Sequence, residues 1–281
     1  MEILAEGKTK RIIPVVLIYS KDDVTAGDGN RQIKLQDKGR FANETTCNVF
    51  EFLKTQFIPM AYLGRFNELA FIAEELKMLP LEFVARRVAW GSFMDRAEDG
   101  VKKGDRFETV VTEMFLKDDS RHDPLIVYSE ERGQYLLYDA HKTLSSGEIG
   151  VFDPESIGYT LADFRALELK LKSLTAEIFI ALEGELLKQD VMLVDFKVEF
   201  GVDSAGKVKL GDVIDADSWR AWIGGDPEQG IDKQYFRDNP DFNSDHLEKL
   251  YAKYRQATEI TSRFTGLDLS EVDLGFQIRP A

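Results

Sequence analysis

A chain of 281 residues with 43% hydrophobic and 31% charged content can bury a sizeable core, as one large domain or two closely joined lobes. Its formal charge of −14 excludes the net basic footprint of a general nucleic-acid or anionic-membrane binder, while leaving room for a local basic pocket that takes a small anion. Cys47 is the single cysteine, so no internal disulfide can form; no run resembles a signal segment or membrane span, and a cytoplasmic protein is expected.

At the N-terminus, Glu6-Gly7-Lys8-Thr9-Lys10-Arg11 sets a glycine among basic residues before the apolar run Ile12 to Tyr19. Such a turn can aim backbone N–H groups and ammonium charges at phosphates, although the P-loop spacing is missing and an exposed basic turn reads the same way. Pro14 predicts an edge strand or a break in that run. Thr25 to Asn30 is a loop by composition, and a helix is expected from near Asn43 to about residue 55, with Cys47 a buried, inert thiol. Phe66 to Ala73 reads as a strand. Met78-Leu79-Pro80 closes it, which puts the boundary of a first lobe at residue 80.

Leu81 to Arg96 carries Arg86, Arg87 and Arg96 around Gly91-Ser92. Arginine's planar fork suits phosphate or carboxylate, and the Gly-Ser turn adds donors; a strand with solvated arginines is the alternative. Glu113 to Leu116 runs into Lys117-Asp118-Asp119, with Asp123-Pro124 following and His122 a surface loop residue. Residues 126–160 predict two short strands or an irregular excursion. From Leu161 to Leu187, Phe164, Leu167, Leu171, Leu174, Ile178, Leu182 and Leu186 recur at spacings of three and four, the signature of a long helix lying on a sheet.

Val191 to Trp222 is the most informative stretch. Val194, Phe196, Val198 and Phe200 alternate with Asp195, Lys197 and Glu199, a strand with one apolar and one charged face. With Asp203 to Gly206 as a four-residue loop, Val202 pairs with Lys207 and Lys197 stands opposite Asp212. Glu199 and Asp212 are then diagonal neighbours roughly 7–8 Å apart, able to hold a hard divalent cation, whereas a slip of one residue would scatter them. An ordinary charged hairpin face fits the same pattern. Asp215, Asp217, Arg220 and Trp222 crowd the next turn, and Asp232 to Arg237 adds a further charged and aromatic cluster. Ser244 is placed to cap a last helix to about Phe264, with Leu247, Leu250, Tyr251 and Tyr254 as its buried stripe and a loose tail ending near Pro280.

Taken in order, EGKTK at 6–10, LEFVARRVAWGSFMDR at 81–96, LKDD with DP at 116–124, VDFKVEFG at 194–201, GDVIDADSWRAW at 211–222 and DKQYFR at 232–237 resemble the SAICAR synthetase family, over nearly the whole chain from Leu4 to Phe264. The DVIDADSWR form resembles the synthetase half of the bifunctional animal enzyme; a second, carboxylase-like domain is not expected here. The resemblance implies a two-lobed α+β fold, related in outline to ATP-grasp and kinase-like folds, with a β-rich lobe over 1–80 and a larger lobe over 81–281. It implies an ATP- and magnesium-dependent ligase of purine biosynthesis that joins carboxyaminoimidazole ribonucleotide to L-aspartate, acting on small molecules alone, as a homodimer or in another assembly.

By matching positions, Gly7, Lys8 and Lys10 would line the triphosphate, Lys117 would sit near it, and the segment at Glu82 would meet adenine through backbone groups. Glu199 and Asp212 would hold magnesium, with Lys197 neutralising the imidazole nucleotide's carboxylate. Arg86, Ser92 and Arg220 would grip that nucleotide, with Asp123 and Asp217 on its polar edge. Lys38, Asn43 and the Thr25–Asn30 loop are candidates for aspartate. Pro14, residues 126–160, Trp90 and Trp219 depart from the family pattern. A kinase with another acceptor and a catalytically silent nucleotide binder are the rival readings.

Overall fold

The alternating threes and fours of residues 161–187 close into a helix with those same limits, capped by the Thr160 hydroxyl accepting from the Asp163 N–H. All seven residues of its stripe are buried, and the helix lies on the strands that follow and precede it. The computed structural model describes residues 3–26, 31–239 and 243–265. Gly27 to Asn30 of the expected loop, and the tail from 266, lie outside the described residues.

A short hairpin, β1 (Ala5–Glu6) and β2 (Arg11–Ile12), comes first, and the apolar run then breaks at Pro14 before β3 (Val16–Tyr19). β4 (Asp23–Ala26) pairs with β5 (Arg31–Lys34). Helix α1 (Lys38–Thr55) leads to β6 (Tyr62–Arg65) and β7 (Ala70–Ala73), which complete a sheet of order β3-β7-β6, so the single strand expected at 66–73 is one arm of a hairpin. Helix α1 begins five residues before Asn43. Its first turn is held from a distance, the Gly39 N–H donating to Asp22 Oδ1 at 2.8 Å.

The main sheet is built from β8 (Lys77–Val88), β9 (Arg106–Leu116), β10 (Leu125–Ser129), β11 (Gln134–Tyr138), β12 (Gly150–Phe152), β13 (Val191–Val202), β14 (Val208–Gly211) and β15 (Trp219–Ile223). Its order is β12-β11-β10-β9-β8-β13-β14, and β15 joins β14 on the same edge of β13. Residues 126–160 thus extend the sheet as a meander. Helix α2 (Leu161–Leu187) covers one face; α3 (Gln234–Asp238) and α4 (Ser244–Thr261) follow, α4 packing on α1. The cap of α4 is the Asn243 side chain rather than Ser244. Its buried stripe is Leu250, Tyr254, Ala257 and Ile260, with Tyr251 half-buried edge-on to Phe41 of α1 at 5.1 Å and Leu247 exposed.

Strand β8 passes through Pro80 without ending, so residue 80 is not the end of an element. The proline is tolerated because the ladder to β13 shifts there, from Gly201↔Met78 to Glu199↔Glu82, and a bulge needs no N–H at that point. Beyond the bulge the sheet has two distinct faces. Phe83, Ala85 and Phe196 lie toward α2, Phe179 meeting Phe196 edge-on at 5.5 Å. Glu82, Val84, Arg86, Asp195 and Lys197 line a cavity on the other. A second bulge between Leu193 and Asp195 turns Val194 out of the expected apolar row into a small cluster with Val88 and Trp222. No helix among the described residues is long and apolar enough to cross a membrane.

Candidate active site

The expected hairpin register is wrong by one. Glu199 stands opposite Gly211 and Val202 opposite Val208, because the loop holds five residues and closes with the Asp203 N–H on the Lys207 carbonyl. Strand alternation alone would then send Asp212 to the other face. Asp212 instead leaves the strand in the left-handed region, at φ 55°, and its carboxyl comes under the charge of Glu199, Lys197 and Lys117. The expected set converges, through a backbone kink that no pattern of alternation contains.

Glu199 is buried and held by two ammonium groups, Lys197 Nζ at 2.7 Å on Oε1 and Lys117 Nζ at 2.7 Å on Oε2. Lys197 also reaches Glu82 at 2.9 Å. Burial works against both charges, but mutual attraction wins: Lys197 is raised by Glu82 and Glu199, and Glu199 is held below its ordinary value by Lys197 and Lys117. Asp212 differs. Solvent reaches its side chain, yet the surrounding protein strips enough water, and Glu199 adds enough like charge, to push its carboxyl up to about 6.

A second row of charge crosses four strands. Arg86 on β8 lies between Glu113 on β9 (2.7 Å) and Asp195 on β13 (3.2 Å), and Arg220 on β15 reaches the same Asp195 oxygen at 2.6 Å. Arg96 closes the row from behind, bonding Glu113 at 2.7 Å and the carbonyls of Ser92 and Ala140. Burial opposes ionisation of Glu113, but Arg86 and Arg96 keep it below its usual range. Gly91, at φ 60°, lets this happen: a Cβ there would stand 2.4 Å from the Arg220 guanidinium.

β14 and β15 leave a gap on the edge of β13, and residues 212–218 loop out of the sheet to fill it, the Lys197 N–H donating to the Ser218 carbonyl at 2.8 Å. Asp217 on this loop is buried by its neighbours, accepts from the Tyr254 hydroxyl and pairs with Lys38 Nζ at 2.9 Å. Burial would raise Asp217 and lower Lys38; the ion pair overrides both.

These elements enclose a cavity of about 320 Å³ whose lining includes Glu82, Arg86, Ser92, Lys197, Asp217 and Arg220, six of the residues singled out by sequence. With Arg96, Lys233 and Arg237 it has six basic side chains against three acidic ones, on a chain of net charge −14. Lys233 and Arg237 were given no role by sequence reasoning; their mixed cluster was visible, but not that α3 folds it over β15.

Beside Asp212 opens a second cavity, of about 300 Å³, walled by Val16, Ile18, Ala73, Leu76, Met78 and Leu210. Glu74 to Leu76 lie between β7 and β8, outside any ladder. Glu82, by contrast, is flanked by paired strands on both sides, so its backbone is covered and only its side chain faces open space. Backbone outside the ladders borders this cavity instead at 75–76. Other expected residues lie apart. Gly7, Lys8 and Lys10 form a tight exposed turn, the Gly7 N–H bonding the Lys10 carbonyl at 2.8 Å. Asp123 accepts from the Asp118 N–H in the 117–124 turn and does not line the cavity. Asn43 is structural, its amide donating to the carbonyls of Asn67 and Glu68.

The family model described as SAICAR synthetase matches residues 3–253. The chain belongs to the SAICAR synthetase family. Among SAICAR synthetase relatives, the phosphoribosylaminoimidazole-succinocarboxamide synthase of Chloroflexus aggregans is 35% identical over 93% of this chain and 96% of its own. A probable multifunctional protein of Caenorhabditis elegans is 36% identical over 94% of this chain, which spans 59% of that longer protein. A solved SAICAR synthetase in complex with ADP is 27% identical, covering 91% of this chain and 98% of its own with a TM-score of 0.66.

Proposed function

We propose that the chain is the ATP-dependent ligase that joins carboxyaminoimidazole ribonucleotide to L-aspartate, giving SAICAR, ADP and phosphate in purine biosynthesis. The observation that carries this reading is the continuity of a basic cavity with an acidic pair across Lys197. The imidazole nucleotide would lie in the basic cavity, its phosphate toward Arg86, Ser92 and Arg220 and its carboxylate at Lys197. The nucleoside of ATP would enter the apolar cavity, its base against the backbone of 75–76, with residues 1–80 and 81–281 as the two lobes around it. The Gly7–Lys10 turn and Lys117 would meet the phosphates, and Asp217 the polar edge of the imidazole nucleotide.

A carboxylate is a poor electrophile toward an amine, so the γ-phosphoryl is first transferred to it. The bond to the bridging oxygen of ADP breaks as one to the carboxylate oxygen forms. The aspartate nitrogen then attacks the acyl carbon, and that oxygen leaves with phosphate. Two anions must meet, and Lys197 and Lys117 would cancel the repulsion. The donor set suits magnesium. Asp212 is a hard oxygen ligand with no hydrogen bond or ion pair among the described residues, and Glu199 is a second. Among the described residues no group of three or more acidic, histidine or cysteine side chains could hold an ion, so Glu199 and Asp212 would be its protein ligands. When bound, it would neutralise charge developing on those phosphates.

The test is ADP release with the imidazole nucleotide present, with and without aspartate. The reading expects ADP only when the nucleotide is present and SAICAR only when both are. ADP that ignores the imidazole nucleotide would favour a kinase with another acceptor, and none under any condition a silent binder.

A further inference from the structure

The bulge that turns Val194 out of the row facing α2 builds a small apolar floor beside the basic cavity. Val194, Val88 and Trp222 form it, with Met192 and Trp90 packed on top. Trp90 meets Trp222 edge-on, their ring centroids 4.7 Å apart at 74°, and Lys103 Nζ stands 4.0 Å from the centre of the Trp90 ring. An aromatic edge and an ammonium thus brace one half-buried indole, and both contacts are orientation-dependent.

The place of that indole in the chain gives the brace a consequence. Strands β8 and β15 lie on opposite edges of β13, Asp195 pairing with Arg86 on one side and Arg220 on the other, so the chain leaving β8 meets β15 only across the face of β13. No hydrogen bond among the described residues joins residues 90–92 to β15, and packing alone sets the gap between them. Two contacts define it: Trp90 on Trp222, and Gly91 against the Arg220 guanidinium. Trp222 follows Arg220 by two residues and shares its face of β15, while Trp90 precedes Ser92 by two. The segment behind the indole is pinned as well, the Ala89 N–H donating to the Asp105 carbonyl and the Gly104 N–H to the Ala89 carbonyl, each at 2.8 Å. Ser92 and Arg220 line the cavity, and Trp90 does not.

We propose that Trp90 is a positioning residue for the phosphate of the imidazole nucleotide: braced between Trp222 and Lys103, it sets the spacing of Ser92 and Arg220 that the phosphate has to fit. The identity of that ligand rests on the ligase reading; the choice of Trp90 rests on the packing.

Trp90→Ala should raise KM for the imidazole nucleotide by about tenfold and leave kcat and the KM for ATP within about twofold, because the loss falls on binding far from the reacting carboxylate. Trp90→Phe keeps an aromatic edge for Trp222 and should recover most of that loss. The deciding arm is the riboside that lacks the phosphate, whose KM should be the same in the wild type and in Trp90→Ala; a general loosening of the fold would raise both. Should Trp90→Ala fail to fold, as judged by circular dichroism, Trp90→Leu carries the same comparison. The loss of about tenfold should also appear in equilibrium binding of the imidazole nucleotide without ATP, a measurement that stands even for a chain that forms no SAICAR. Equal affinity in the wild type and Trp90→Ala, an equal loss for the riboside, or a wild-type chain that does not bind the nucleotide would overturn the proposal.

Discussion

The two ends of β13 solve opposite electrostatic problems. At the Asp195 end positive charge is in excess: Arg86, Arg96 and Arg220 share two carboxylates, Asp195 and Glu113, and Lys233 and Arg237 line the same cavity. At the Glu199 end the balance is incomplete, for Asp212 has no ion pair among the described residues and its carboxyl is pushed up to about 6. A row with positive charge to spare can take a substrate anion with little rearrangement, since Asp195 and Glu113 already hold the arginines in orientation. An unmatched acid calls for a cation from outside. One strand thus offers an anion site and a cation site, and the contrast can be tested at each end.

The largest effect is expected at the acidic end. Glu199→Gln should cut turnover by about 100- to 1,000-fold, or more, while the protein still folds, because it removes the carboxylate that orients Lys197 and Lys117 and would help hold the metal. Near-normal turnover would remove Glu199 from the chemistry. At the basic end, Gly91→Ala should raise KM for the imidazole nucleotide by about tenfold and cost about 1–2 kcal/mol of stability, since its Cβ must displace Arg220 from Asp195 and the backbone is left-handed there. Unchanged KM would separate Arg220 from that substrate.

Smaller effects follow from titration. With no metal bound, Asp212 should take up its proton as pH falls through about 6, so the apparent affinity for magnesium should decline with it; an affinity that is flat between about pH 7 and about pH 5 would count against Asp212 as a ligand. For stability the sign is the reverse of the usual carboxylate. The folded-state value lies above the ordinary 3.8, so the charged form is held at a cost that is full above about 6 and fades as pH falls toward the ordinary value. Asp212→Asn should therefore raise Tm at neutral pH while abolishing activity, with the gain shrinking in acid. A lower Tm at neutral pH would show that Asp212 is satisfied in some other way.

What sequence could foresee tracks how local each cause is. Helix α2 was legible to the residue because its stripe and the Thr160 cap lie within the segment itself. The start of α1 was not, since its first turn is held by Asp22, and neither was the Asn243 cap, where two adjacent capping residues compete. The charged face of β13 was read correctly except at Val194, which a bulge reverses. Glu199 and Asp212 were chosen for a pairing that the structure replaces with a kink. Lys233 and Arg237 belong to the site only because the chain returns over β15, a fact of tertiary path that composition does not encode.

Because Asp195 and Glu199 ride on the same extended strand, the distance between the two binding centres cannot adapt to the ligand. Four residues of strand set it at about 13 Å, and two neighbouring strands keep that length from flexing. The sheet acts as a gauge. A ligand with one anionic end on the arginines and another on a cation held at Glu199 and Asp212 would have to match that span, so discrimination by length would come from the backbone before any side chain chooses.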